Sequence, residues 1–348
     1  HDAFHVNAWM MDEHYSTYPE SDRAILSIMT GKYPPLERGS GWVRSYDYAG
    51  SLPRVLKEAG YKTIMLSTAP LDFHDNRHMM EALGFETIID SSLAKKALTI
   101  RGDVRMFERT KLYDADRELI LKAQEIIASH PTHRYLLAIV PQASHAPFQR
   151  PPRYVGDGSQ ASLIQANAGW QVEQIREIIG ALSRHGQLDR TWVIVTGDHG
   201  LRHPAETNLF TDLNRLSADT FHVPFLLFAR KVLPPTVRRP TSHIDITPTI
   251  LDLLGIPYPP YAYQGRNLGR GCARSIFWLG GDYLPVSGFT NQGRYFMENR
   301  NLGLVLKGPR FDFSPDRKSG AERCTESEQR FVAYNLNLIK RLLMDSDD

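Results

Sequence analysis

Apolar positions in this chain follow two rhythms that take turns. Uninterrupted runs such as Tyr135 to Val140 and Trp192 to Val195 read as buried strands, because neither face of such a run is polar, and Val223 to Ala229 reads as another strand. Tyr61 to Leu66 and Phe85 to Ile89 add two more strands. Between the runs the apolar spacing lengthens to that of a helix. Leu119, Ala123, Ile126 and Ile127 share one face of a helix predicted over Asp114 to Ser129, and a second long helix is predicted over Leu163 to Leu182. Shorter helices at Leu52 to Ala59, Met79 to Leu83 and Pro248 to Leu254 each run into a glycine (Gly60, Gly84, Gly255), the residue that tolerates the left-handed turn closing a helix. Such alternation predicts the α/β class, with a mainly parallel sheet covered by helices on both faces.

Beyond the proline-rich stretch Ile256 to Tyr261 the rhythm changes. Ile276 to Leu279, Tyr295 to Glu298 and Leu302 to Leu306 are short strands between glycine and asparagine turns, which predict a small antiparallel unit. Asn335 to Leu343 reads as a closing helix. The expected organisation is a core over residues 1–262 and a small α+β subdomain over 263–348. A chain of 348 residues, 42% hydrophobic and 23% charged, has the material for a large core. Its net charge of +2 gives no argument for a polyanion-binding surface, so nucleic acid is not an expected partner. Two cysteines, Cys272 and Cys324, suit one disulfide or two free thiols and decide no compartment. No apolar run approaches the roughly 18 residues of a membrane span, and the first residues do not read as a leader peptide.

The chemistry concentrates where Trp192 to Val195 ends in Thr196-Gly197-Asp198-His199-Gly200. Carboxyl ends of strands are where open α/β sheets carry their sites. An Asp-His pair there offers oxygen and nitrogen ligands to a divalent cation. The simpler alternative is a strand-end turn with Asp198 as a helix cap.

Three further segments accompany it in order: Ser21 to Pro34 (SDRAILSIMTGKYP), Ser144-His145-Ala146-Pro147-Phe148, and His222-Val223-Pro224-Phe225 running on to Ser242 to Pro257 (SHIDITPTILDLLGIP). Together the four resemble the alkaline phosphatase and sulfatase superfamily. The likeness is to the sulfatase-like branch that includes phosphoglycerol and phosphoethanolamine transferases. The resemblance implies an alkaline-phosphatase-like three-layer sandwich and a hydroxyl or modified-cysteine nucleophile at the head of a helix ending in Thr-Gly. Counting back nine from Thr30 gives Ser21, with Thr17 one turn earlier as the alternative. A helix N-terminus favours both an alkoxide and a bound anion, although a serine there is also an ordinary cap. Asp198 and His199 match the metal pair, with Ser21 as a further ligand. His145 matches a histidine that contacts the substrate or its leaving group. His222 and His203 are candidates for the ester oxygens. Lys32 is a weaker substrate-binding candidate, its simpler reading being a solvated charge at a helix end. His243 and Asp245 belong to a stretch that is structural in the family. His74 to His78 reads as surface.

Departures narrow the expectation. Formylglycine sulfatases follow the nucleophile with x-Pro-Ser-Arg, whereas Ser21 is followed by Asp22-Arg23-Ala24-Ile25. A second metal would need an Asp three residues ahead of His145, where Gln142 stands. The family's first strand ends in an acidic ligand tens of residues ahead of the nucleophile, and Ser21 has twenty residues before it. The expectation is therefore that either this strand lies outside the sequence or the metal site is incomplete, with metal binding weakened, and activity with it, for the sequence as written. What remains is one divalent cation (Mn, Mg, Zn or Ca) and a serine nucleophile. The expected reaction is hydrolysis or transfer of a phosphate or sulfate ester of a small molecule, lipid or glycan. Relatives imply an extracytoplasmic setting, with any membrane anchor outside this chain. An arylsulfatase and a non-catalytic binding protein of the same fold are the alternatives.

Overall fold

The computed structural model describes residues 8–36, 40–90, 111–145, 148–200, 220–228, 240–259, 261–269, 275–280, 286–299, 303–309 and 322–344. In chain order its principal elements begin with β1 (Ala8–Met11), β2 (His14–Tyr15), α1 (Ser21–Thr30) and α2 (Leu52–Glu58). Then follow β3 (Lys62–Ser67), α3 (Asn76–Ala82), β4 (Thr87–Ile89), α4 (Lys111–Ser129), β5 (Tyr135–Val140) and α5 (Gln160–Arg184). Next come β6 (Val193–Thr196), β7 (Phe225–Phe228), β8 (Thr241–Ser242) and α6 (Ile246–Leu254). The chain closes with β9 (Phe277–Trp278), β10 (Val286–Asn291), β11 (Arg294–Asn299), β12 (Leu304–Gly308), β13 (Glu322–Arg323) and α7 (Glu326–Met344). The glycines read as helix stops do adopt left-handed backbone, with φ of +83° at Gly60, +98° at Gly84 and +67° at Gly255.

The elements gather into two compact units. One spans residues 53–192 with 229–231. Its sheet runs β4-β3-β5, parallel throughout. Ile64 and Leu66 of β3 pack with Leu119, Ala123 and Ile126 from the apolar face of α4. Asp116 on that helix accepts hydrogen bonds from the Gln142 and Ala143 amides and the Thr68 hydroxyl. The loop that carries His145 is thereby tied to α4.

The other unit takes residues 1–52, 193–228 and 232–348. Its strand β7 lies between β1 and β6, antiparallel to both. β6 was expected as a buried parallel strand. Among the described residues it is instead half-buried and paired antiparallel with β7. An apolar run marks a strand, but its direction and its cover depend on the neighbours the chain brings alongside. A two-rung parallel ladder joins β2 to β8, His14 opposite Thr241 and Tyr15 opposite Ser242.

The same unit holds a five-stranded antiparallel sheet in the order β13-β12-β11-β10-β9. β10 was not anticipated, because its mixture of Ser, Gly, Thr and Asn hides the strand period. Gly288 within it lies against the Phe296 carbonyl and the Trp278 ring, where a Cβ has no room. The closing helix starts well ahead of the predicted Asn335. Thr325 caps it reciprocally with Glu328: the Thr325 amide donates to Glu328 Oε2, and the Glu328 amide to Thr325 Oγ1. The sheet's packing reaches back to the start of the chain. Tyr15 is buried with Trp278, Tyr295 and Met297, and the Leu279 amide donates to the Thr17 carbonyl at 2.9 Å. Cys324 is a free thiol buried among Phe289, Phe296, Val332 and Leu336, and burial pushes its pKa up to about 11, which leaves it unreactive.

Candidate active site

The head of α1 is set by side chains on either side of Ser21. Glu20 occupies the cap position with extended backbone (φ −137°, ψ 139°), so Ser21 is the first helical residue and not the cap. Arg23 is fully buried, with its guanidinium 4.8 Å from the Tyr18 ring and 5.4 Å from the Trp42 ring. It donates to Glu20 Oε2 at 2.8 Å and to the Pro35 carbonyl at 3.3 Å. Charge-assisted bonding and ring stacking hold the entry of the helix in one geometry. At its far end Gly31 takes the left-handed cap, with φ +63°. The Gln264 and Gly265 amides both donate to the Gly31 carbonyl.

With Glu20 and Arg23 engaged, the Ser21 hydroxyl faces the loop after β6, and its Oγ lies 3.3 Å from His199 Nε2. The other ring nitrogen, Nδ1, is 2.9 Å from the Gly200 carbonyl. A carbonyl only accepts, so Nδ1 carries the proton and Nε2 presents its lone pair toward Ser21. Asp198 spends Oδ1 on the His199 amide at 2.8 Å, while Oδ2 lies 3.7 Å from Nε2. A carboxylate oxygen, an imidazole lone pair and a hydroxyl thus converge, and both ring and carboxylate are only partly covered. This donor set, with a backbone carbonyl fixing the tautomer, fits a divalent cation. Among the described residues no third His, Cys, Asp or Glu joins the pair.

The loop lies close against its surroundings. A Cβ on Gly197 would sit a tight 3.2 Å from the Val223 side chain. Behind the loop His243 Nε2 is 2.9 Å from the Gly197 carbonyl, and the Ser16 hydroxyl lies 2.8 Å from the Asp198 carbonyl and 2.6 Å from the Tyr18 carbonyl, its one proton shared between them. Both side chains are fully buried. Burial pushes the His243 pKa down from 6.5 to about 4. Between those values the unfolded chain binds a proton that the folded state refuses. Stability present above pH 6.5 is therefore lost as pH falls toward 4, by about 3 kcal/mol from this group. Urea unfolding between about pH 6.5 and 4.5 should show wild type losing more stability than His243→Gln. Equal losses would contradict a neutral, buried imidazole.

Thr17, the alternative nucleophile, is fully buried and its hydroxyl donates to Ser27 Oγ at 2.8 Å. His145 lies in the loop after β5, in the other compact unit. His222 is exposed; its Nε2 is 2.7 Å from the Asp12 carbonyl and its ring packs on Tyr15. Lys32 follows Gly31, a helix length of roughly 16 Å from Ser21, so α1 does not bring the two together. His203 lies outside the described residues, as does Cys272. Asp245 is structural, accepting from the Ser242 and Arg266 amides. His74 sits in an exposed turn with φ +52°. Arg23, Ser16 and His243 emerge as site-building residues. Arg23 follows Ser21 closely enough to have been noticed, whereas Ser16 meets Asp198 across 182 positions with no local pattern to mark it.

A profile of the family described as Sulfatase matches residues 2–256. Lipoteichoic acid synthase 2 of Bacillus subtilis is 23% identical over 308 residues, covering 83% of this chain and 45% of that protein. The uncharacterized sulfatase YidJ of Escherichia coli is 32% identical over 160 residues, covering 45% of this chain and 30% of that one. The chain thus spans less than half the length of these relatives. A protein in the alkaline phosphatase superfamily from Vibrio parahaemolyticus superposes with a TM-score of 0.72 at 19% identity, over 99% of this chain and 81% of that one. It shares the mixed α/β fold.

Proposed function

The chain belongs to the sulfatase family, and from that premise we propose that it is a metal-dependent enzyme moving a phosphate or sulfate group from an ester through a covalent intermediate on Ser21. The observation that carries this reading is the 3.3 Å approach of Ser21 Oγ to His199 Nε2, with Nδ1 held by the Gly200 carbonyl. Asp198, His199 and Ser21 would hold one divalent cation. When bound, it supplies charge that eases deprotonation of the hydroxyl and neutralises the ester's non-bridging oxygens.

Ser21 contributes position. At the first turn of α1 its oxygen meets the positive end of the helix dipole, which favours the alkoxide and the incoming anion together. Its Oγ forms a bond to phosphorus or sulfur as the ester oxygen leaves, and water or an acceptor alcohol then takes the group from Ser21. Protonation of the leaving oxygen is assigned to His145 on its sequence position alone. Substrates are esters of small molecules, lipids or glycans outside the cytoplasm, and nucleic acid is not among the partners. Asp22 and Arg23 stand where formylglycine sulfatases have another pattern, which favours an unmodified serine and phosphoester chemistry. The bare two-residue ligand pair among the described residues favours a second reading, a binding protein of this fold without turnover.

Calorimetric titration with Mn, Mg, Zn and Ca, followed by a panel of phosphomonoesters, phosphodiesters and aryl sulfates, separates these readings. Cation-dependent release from a phosphoester is expected. Release from the aryl sulfate alone would establish a sulfatase. Cation binding without turnover on any ester would establish the binding protein.

A further inference from the structure

We propose that Ser16 and His243 are positioning residues that aim Asp198 and His199 by gripping two successive backbone carbonyls of the ligand loop; this rests on the function proposed above. The β2–β8 ladder ends at the rung Tyr15–Ser242. Ser16 and His243 are the next residue on each strand, so the parallel register sets them side by side, about 4.8 Å apart in backbone. From there the His243 ring reaches the Gly197 carbonyl at 2.9 Å, and the Ser16 hydroxyl lies between the Asp198 carbonyl at 2.8 Å and the Tyr18 carbonyl at 2.6 Å, offering its one proton to both. Both donors are fully buried, out of competition with water. The Gly200 amide donates to the Thr220 carbonyl at 3.0 Å, and the Ser16 amide to the Phe221 carbonyl at 2.7 Å. The loop is thus held on both flanks of the ligand pair.

The direction of a side chain follows from the planes of the peptides beside it. With the carbonyls of residues 197 and 198 fixed, the peptide planes on both sides of Asp198 cannot rotate, and the carboxylate is held toward His199. Ser16 stands five positions ahead of Ser21, so the same grip also sets the nucleophile's segment against the loop. Constellations of this kind tolerate an error of about 0.5 Å. Simple satisfaction of buried carbonyls would explain the hydrogen bonds, but not a dependence of cation affinity on them.

Ser16→Ala and His243→Leu remove the donors; Ser16→Thr and His243→Gln restore them. The readouts on the full chain are Mn²⁺ affinity by calorimetry, hydrogen exchange at the Gly200 amide without metal, and the urea midpoint. Ser16→Ala and His243→Leu should each weaken Mn²⁺ binding about 10- to 100-fold and speed exchange at Gly200, with Thr and Gln recovering most of the loss. Affinity and exchange unchanged in Ser16→Ala would overturn the proposal, as would lowered urea midpoints with wild-type affinity. Should His243→Leu fail to fold, Ser16→Ala and its Thr rescue decide. A wild-type chain that binds no Mn²⁺ would sink the functional reading instead. The grip would then stand or fall on Gly200 exchange in Ser16→Ala.

Discussion

Ser21→Ala should abolish accumulation of a covalent phospho- or sulfo-enzyme and lower turnover by on the order of 10⁴-fold or more. The hydroxyl lies at the first position of α1, 3.3 Å from the imidazole lone pair, and makes no cap that the helix needs. The variant should therefore fold as wild type does, within about 0.5 kcal/mol. Quenching a slow ester substrate and weighing the intact protein provides the measurement. Thr17→Ala is the control that gives it force. Because Thr17 is buried against Ser27, its loss should cost about 1 kcal/mol of stability and leave the label in place. A label that persists in Ser21→Ala and disappears in Thr17→Ala would move the nucleophile one helical turn upstream.

Asp198→Asn separates charge from shape. The amide oxygen can still accept from the His199 backbone amide, as Oδ1 does now, so the loop keeps its form. Only the negative charge facing His199 Nε2 is removed. Losses at residues that merely support a ligand run to about 10- to 100-fold in affinity, so removing the ligand's charge should weaken Mn²⁺ binding about 100-fold or more, with turnover falling in parallel. Because the Asp198 side chain is 36% exposed, unfolding without metal should hardly change. Calorimetry with elemental analysis of the dialysed protein reads both effects. Unchanged Mn²⁺ stoichiometry and affinity would place the cation at other residues.

Arg23 shows how a departure from a familiar pattern can mislead. Read against the formylglycine motif, it is an arginine in the wrong place. In the structure it is clamped between Tyr18 and Trp42 and bonded to Glu20, shaping the entry to the helix that Ser21 begins. The loop after β5 makes a related point. Its tie to Asp116 on α4 could not be read from Ser144-His145-Ala146-Pro147-Phe148, because the partner lies far off in the chain.

Local properties were legible in the residues alone. Periodicity located the long helices, apolar runs located several of the strands, and glycines able to adopt positive φ marked where helices stop. The family appeared as four segments in a set order, with Asp198 and His199 just past an apolar run. The start of the closing helix was read too late, at Asn335, although Thr325 and Glu328 stand at capping-box spacing ahead of it. Pairing across long separations belonged to the tertiary structure. Folding made β6 antiparallel to β7 and revealed β10 through its partners. It turned the Ser21 hydroxyl, rather than that of Thr17, toward His199, and set Ser16 and His243 on adjacent carbonyls. Periodicity and capping depend on neighbours a few residues away, so the chain carries them in its order. Strand direction and the aim of a hydroxyl depend on which distant surfaces meet, and that is decided only when the core closes.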